Sequence, residues 1–268
     1  MSAALTSQRV LSDDELQVVA SRTGVGEFPT VLDVRPRHSR TDSLGVAIDQ
    51  ATRALTARGL ITDGVVDPDL ASQVRALHRP DRELAMRVVA PVGLTRVSVV
   101  RQNSKGLLAR RDGNKFSMRV HGAELSDAIQ ALLGELPPMP PAPIEPVGAP
   151  LDAMTECLDD GGEGPQLAGR IHALGTERRA AMLLGSALSS RLAFAEVVYN
   201  ALARDEDRIS RCPAAVAVFY TKRGRIVAGP TASPSGELWT TLKAGSDHTI
   251  AQAIGQLIEL STERWEEA

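Results

Sequence analysis

Two stretches of this chain match one another, and the match restricts the folds open to it. Residues 96–136 read RVSVVRQNSKGLLARRDGNKFSMRVHGAELSDAIQALLGEL; residues 215–260 read AVAVFYTKRGRIVAGPTASPSGELWTTLKAGSDHTIAQAIGQLIEL. Gly106 falls on Gly224, Gly113 on Gly236 and Phe116 on Trp239. Ala128-Ile129 with Leu132-Leu133 falls on Ala253-Ile254 with Leu257-Ile258. LAMRVV from Leu84 and LAFAEVV from Leu192 extend the pairing. Each copy is a run of alternating strands closed by an amphipathic helix. A meander standing alone leaves unpaired edges. Two copies joined edge to edge across a pseudo-two-fold axis remove two of them, and helices are then expected over one face.

The rest of the chain fits a duplicated helix–meander–helix unit. Ser12 and Glu15 form a capping box, Leu11 and Leu16 a hydrophobic staple, and Gly24 a stop. TVLDV at 30–34 reads as a strand. A helix follows with Leu44, Ala47, Ile48, Ala51 and Leu55 in one stripe, ended by Gly59. Asp67 caps the next helix, with Pro68 in its first turn and Pro80 beyond its end. Strands are expected near 83–89, 95–102, 106–111 and 115–120. The second half repeats the order: helices at 151–158 and about 166–190, strands near 192–200, 214–221, 224–230 and 237–242, then a last helix.

Residues 137–150, PPMPPAPIEPVGAP, hold seven of the sixteen prolines. They read as an extended linker without core. The organisation is therefore 1–136, the linker 137–150, and a pseudo-equivalent half 151–268, together one compact domain.

Charge and motif chemistry exclude more than they select. The first 136 residues carry 18 Lys/Arg against 16 Asp/Glu and the remainder 12 against 17. Neither half has the basic footprint of a nucleic-acid binder. No apolar run reaches a membrane span, and the N-terminus lacks the basic-then-apolar pattern of a leader, so the expectation is a cytoplasmic protein. Cys157 and Cys212 read as two unpaired thiols. Gly224 and Gly229 have phosphate-loop separation, but Pro230-Thr231 stands where Lys-Ser/Thr is needed. His38, His78, His121, His172 and His248 lack metal-ligand spacing. Ser233 and Ser235 occupy a hairpin tip rather than a nucleophile elbow. Asp159 and Asp160 read as solvated loop carboxylates. No catalytic set, cofactor or metal follows, and the residues alone end at an α/β binding protein.

The second copy carries a further pattern. Gly224-Arg225, the strand Ile226 to Gly229, the turn Ser233 to Gly236, Trp239-Thr240-Thr241 and Gly245-Ser246-Asp247 resemble the C-terminal signature of the EspG family, chaperones of type VII (ESX) secretion systems. GVGEFPTVL and DPDLASQVRALHRPDREL resemble it too; Leu238 departs from it, where arginine is expected. The resemblance implies an α/β (α+β) pseudo-two-fold fold, with a central antiparallel sheet flanked by helical bundles. It implies a cytosolic, non-enzymatic protein that binds PE–PPE heterodimers through the tip of the PPE subunit, with no nucleic acid and no membrane insertion, as a monomer or weak homodimer. An adaptor recruiting a secretion-machine component and a small-molecule enzyme are the alternatives. Partner contacts are expected in the loop between the second and third strands and in the C-terminal bundle. With the strand at 30–34 counted first and 83–89 left out, that loop is Arg101, Gln102, Asn103, Ser104 and Lys105. Arg208, in the polar loop RDEDRIS, and Ser233 complete the expected set.

Overall fold

Ser12 closes strand β1 (Arg9–Ser12) and opens helix α1 (Asp13–Thr23). Its hydroxyl accepts the Glu15 amide at 3.2 Å and the Glu15 carboxylate accepts the Ser12 amide at 2.8 Å. Gly24, at φ 74°, ends the helix. Leu11 and Leu16 are both buried in the core beneath. The structure, a computed structural model, describes residues 9–35, 41–159, 162–203, 208–233 and 236–266.

After α1 come a 3-10 turn at Thr30–Leu32, α2 (Thr41–Ala57), the small hairpin β2 (Ile61–Thr62) and β3 (Val65–Val66), and α3 (Pro68–Ala76). The strand expected at 30–34 is that 3-10 turn. Pro29 leads into it, Leu32 is buried, and Asp33 closes it at φ 49°. Asp67 caps α3 by accepting the Leu70 amide at 2.9 Å, with Pro68 in the first turn. In α2, Ala51 and Leu55 are buried, but Ile48 is 41% exposed, so the stripe is covered only along its second half.

The first meander is β4 (Arg82–Ala90), β5 (Gly93–Gln102), β6 (Lys105–Asp112) and β7 (Lys115–His121), closed by α4 (Leu125–Leu133). Strand β8 (Val147–Pro150) then leads to helices α5 (Leu151–Asp159), α6 (Gly164–Ala173) and α7 (Arg178–Leu188). The second meander is β9 (Arg191–Ala203), β10 (Arg208–Arg211), β11 (Val216–Thr221), β12 (Gly224–Ala232) and β13 (Leu238–Ala244), closed by α8 (Asp247–Glu259). All but β2 and β3 form one antiparallel sheet in the order β1-β7-β6-β5-β4-β9-β11-β12-β13-β8, with β10 beside β9. The halves meet at β4 and β9, from Arg82 opposite Ala201 to Val89 opposite Phe194. These are the strands that carry LAMRVV and LAFAEVV, and the order mirrors outward from them. The pseudo-two-fold is therefore in the hydrogen bonding itself.

Four further readings change. The single helix expected at 166–190 is α6 and α7, parted by a turn in which Gly175 takes φ 92° and Glu177 caps α7. Arg208 lies in a strand, opposite Ala203, rather than in a polar loop; residues 204–207 of that loop lie outside the described set, as do His38, Asp160 and Ser235. The proline-rich segment is not without core: Ala142, Val147 and Ala149 are buried, and β8 pairs with β13. Finally, helices cover both faces. Alternate residues of the central strands, Leu84, Met86, Val97, Val99, Val197 and Tyr199, pack under α4 and α8. On the opposite face α1–α3 cover Val100, Leu107 and Phe116, and α5–α7 cover Phe219, Ile226 and Leu242.

Helices α6 and α7 pack backbone to backbone at Gly185. A β-carbon there would lie 2.6 Å from the Ala168 nitrogen and 2.7 Å from the Gly164 oxygen. Gly185→Ala gains about 1 kcal/mol in helix propensity but must push the helices apart. A net loss of about 1–2 kcal/mol is expected. Urea unfolding reads it, and a variant more stable than the parent contradicts this packing.

Candidate functional site

The bundles α1–α3 and α5–α7 stand on the same face of the sheet, and no helix lies over its middle. The floor of this strip is made by the residues that alternate with the core: Glu83, Ala85 and Arg87 on β4, Arg96 and Ser98 on β5, Glu196, Val198 and Asn200 on β9. A strand covered on both faces is usually apolar on both, whereas an antiparallel strand with one open face alternates. Here no helix covers that face; the 3-10 turn lies against β4 and β5, so Glu83, Ala85 and Ser98 are buried while Arg87 is exposed. Val89 is 51% exposed and Leu94 is 38% exposed toward one end; Ile209 on β10 is 56% exposed toward the other.

A cavity of about 420 Å³ opens in the strip, walled by Phe28–Val31, Leu77, Ala85, Val198 and Ile209. Two of its arginines are held in ion pairs. Arg87 pairs with Glu196 directly across the β4–β9 seam at 2.5 Å, and Arg96 with Asp33 at 3.0 Å. Glu83 is held differently. It is 7% exposed, and it accepts from the Ser98 hydroxyl at 2.6 Å and the Asn200 amide at 2.9 Å. Burial pushes its carboxyl up from the ordinary value, against the pull of those two bonds. The folded state therefore holds this proton more tightly than the unfolded chain. Stability is lost as pH rises from the ordinary glutamate range through the folded value, and stays lost above it. Glu83→Gln lacks this loss. The melting temperature of the variant relative to the parent should rise between pH 4 and pH 8; a difference constant in pH would contradict the assignment.

The residues expected from sequence lie together at one end of the sheet. Arg82 opposes both Arg101 and Ala201, so the β5–β6 turn, the end of β9 and β10 share that end. The register of β11, β12 and β13 places the turn holding Ser233 there too. The counting that selected Arg101 to Lys105 does not hold, however. Residues 30–34 are not a strand and Arg82–Ala90 is, so among the sheet strands the second and third, β4 and β5, are joined by Pro91-Val92 at the opposite end. Val92 is 99% exposed.

The β5–β6 turn is held firmly. The Asn103 amide donates to Asp81 Oδ2 at 2.6 Å, the Asp81 amide to the Arg101 carbonyl at 3.0 Å, and Lys105 Nζ to Ser72 Oγ at 3.0 Å. The Arg101 guanidinium donates to the carbonyls of Asn103 and Trp265. Arg101 and Gln102 are half-buried; Asn103, Ser104, Lys105 and Arg208 are exposed. Glu83, Ser98, Asn200 and Ile209 were not expected from sequence. Glu83 and Arg87, set among the apolar residues of RELAMRVV, are the only local trace of a face without a helix over it.

Among the described residues no group of three or more His, Cys, Asp or Glu is placed to hold a metal, and Cys157 and Cys212, both buried, form no disulfide. Among the described residues no helix is long and apolar enough to cross a membrane.

The sequence model of the EspG family matches residues 12–256. The chain belongs to the EspG family. ESX-1 secretion-associated protein EspG1 of Mycobacterium tuberculosis is 26% identical over 254 residues, covering 92% of this chain and 85% of that protein. ESX-3 secretion-associated protein EspG3 of Mycolicibacterium smegmatis is 26% identical over 250 residues, with the same coverage. Among solved structures, the Mycobacterium tuberculosis type VII secretion system chaperone EspG5, in complex with a PE25-PPE41 dimer, superposes with a TM-score of 0.81 at 16% identity, over 97% of this chain and 99% of that one. The EspG fold is thus common to both.

The EspG signature now has a physical reason. Arg225, 4% exposed, donates through Nε to the Gly245 carbonyl at 2.6 Å and through its other end to the Asp247 carboxylate. Ser246 caps α8 by accepting the Thr249 amide at 3.1 Å. Gly224 sits at φ 119°, where a β-carbon would lie 2.7 Å from both the Ala142 nitrogen and the Pro140 oxygen. Gly-Arg and Gly-Ser-Asp are two sides of one joint between sheet, linker and last helix.

Proposed function

We propose that this chain is a cytoplasmic chaperone without catalytic activity. It holds a PE–PPE heterodimer by the tip of its PPE subunit, keeps it soluble and directs it to the cognate type VII (ESX) machine. The observation that carries this reading is the open strip of β4, β5 and β9 between two helical bundles. It is a ready docking surface in a fold otherwise covered on both faces. An exposed apolar tip promotes aggregation, and a protein that binds it draws the aggregating species down by mass action. The related chaperone in complex with PE25-PPE41 supports the choice of client class.

We place the client along the strip. Arg101, Gln102, Asn103, Ser104, Lys105, Arg208 and Ser233 lie beside its lower end, where the exposed members extend the contact. Residues 1–136 and 151–268 act as pseudo-equivalent halves of one domain, and the continuous sheet through β4 and β9 supports that division. The test is co-expression with a panel of PE–PPE pairs from ESX loci. A cognate pair should move from the insoluble to the soluble fraction and elute with this chain as a 1:1:1 complex. No change in solubility for any pair contradicts the reading.

A further inference from the structure

We infer that the cavity around Glu83 is a receptor for one lysine or arginine side chain of the docked client, whose cationic head pairs with the Glu83 carboxylate. The inference rests on the reading that a client occupies the open strip. The cavity has the two parts that such a side chain needs. Phe28, Val31, Ala85 and Val198 are apolar walls suited to a methylene stem. At the buried end stands a carboxyl whose two partners, Ser98 and Asn200, are neutral. A carboxylate in such a place is costly unless a cation pairs with it. Among the described residues no cation pairs with Glu83, whose hydrogen bonds come from Ser98 and Asn200. A group so placed is poor as scaffold and well placed as a socket.

The surrounding charges leave that role to Glu83. Arg87 is paired with Glu196 and Arg96 with Asp33. Arg79 from the α3–β4 connection and Arg211 on β10 line the cavity and oppose entry of a cation. Glu27, from the segment before the 3-10 turn, favours it. The deepest acid is Glu83. Because burial raises its proton affinity, entry of a cation expels the proton, and binding tightens as pH rises toward full ionisation.

Two measurements test this. The first uses agmatine, an alkyl guanidinium with an amine, as the probe. In protein labelled with ¹³C at glutamate carboxyls, the Glu83 resonance is the one absent from Glu83→Gln. Its titration midpoint should move to lower pH in agmatine relative to sodium chloride of equal ionic strength. An unmoved midpoint overturns the inference. The second uses a PE–PPE pair retained by the parent chain. Glu83→Gln should bind it about tenfold or more weakly at pH 8, consistent with loss of one member of a buried charge pair. The parent's affinity should rise with pH and the variant's should not. Equal affinities overturn the inference and leave the chaperone reading standing. If no pair binds either protein, the chaperone reading falls, and the agmatine titration alone decides the pocket.

Discussion

Trp265→Ala should cost about 4 kcal/mol of stability, the range for truncating a buried tryptophan. For a chain of this size that is a fall in melting temperature of roughly 10 °C. Trp265 is fully buried, although it lies beyond the last helix in the polar run STERWEEA. Its indole nitrogen donates to the Ala123 carbonyl at 2.9 Å, and its ring lies 6.4 Å from that of Tyr199. The adjoining backbone is bound as well. The Glu263 carbonyl accepts from the Tyr199 hydroxyl at 2.8 Å, and the Arg264 carbonyl from Arg82 Nε at 2.6 Å. Truncation opens a cavity under the sheet and loosens this strap. Arg82, only 2% exposed, then loses partners it cannot replace with water. Trp265→Phe keeps most of the packing and loses one hydrogen bond, so a cost of about 1–2 kcal/mol is expected. Chemical denaturation measures both; an alanine variant within 1 kcal/mol of the parent by that measurement would contradict the strap's role.

Arg225→Ala comes next, at about 3 kcal/mol. The Asp247 partner is 72% exposed, so the ion pair itself contributes little. The cost lies in the Gly245 carbonyl left without its guanidinium donor and in the lost packing of the stem. Arg225→Met should therefore recover part of the loss, and Asp247→Asn should cost under about 1 kcal/mol. Thermal unfolding of the three variants separates these contributions. Equal losses for Asp247→Asn and Arg225→Ala would mean that the charge pair, not the carbonyl bond, holds the joint.

What the sequence reveals here depends on how far apart the interacting residues lie. Local chemistry is legible: the Ser12–Glu15 box, Gly24 and Asp67 with Pro68 need only neighbours. The duplication is legible because a repeated pattern carries its own reference. The one-face expectation for the helices fails because alternation in β6 and β11 shows two apolar sets without saying what covers each. The strand expected at 30–34 fails because Leu32 is buried by tertiary packing, which an apolar run signals equally well. The linker escapes notice as core because Ala142, Val147 and Ala149 are separated by prolines and glycine. The site is least legible. Glu83, Ser98 and Asn200 are polar residues on three strands, and nothing in their immediate sequence says that they converge. Trp265 meets Ala123 and Arg101, and its neighbour Arg264 meets Arg82, all more than a hundred residues away.

The measurement closest to the central claim sets the parent against the double variant Val89→Glu, Ile209→Glu, in co-purification with one PE–PPE pair. Both side chains are exposed, at opposite ends of the open strip, so the fold should be unaffected and the melting temperature unchanged. The account predicts a 1:1:1 complex with the parent and loss of the client from the variant. A variant that retains the client undiminished would place the binding surface elsewhere and contradict it.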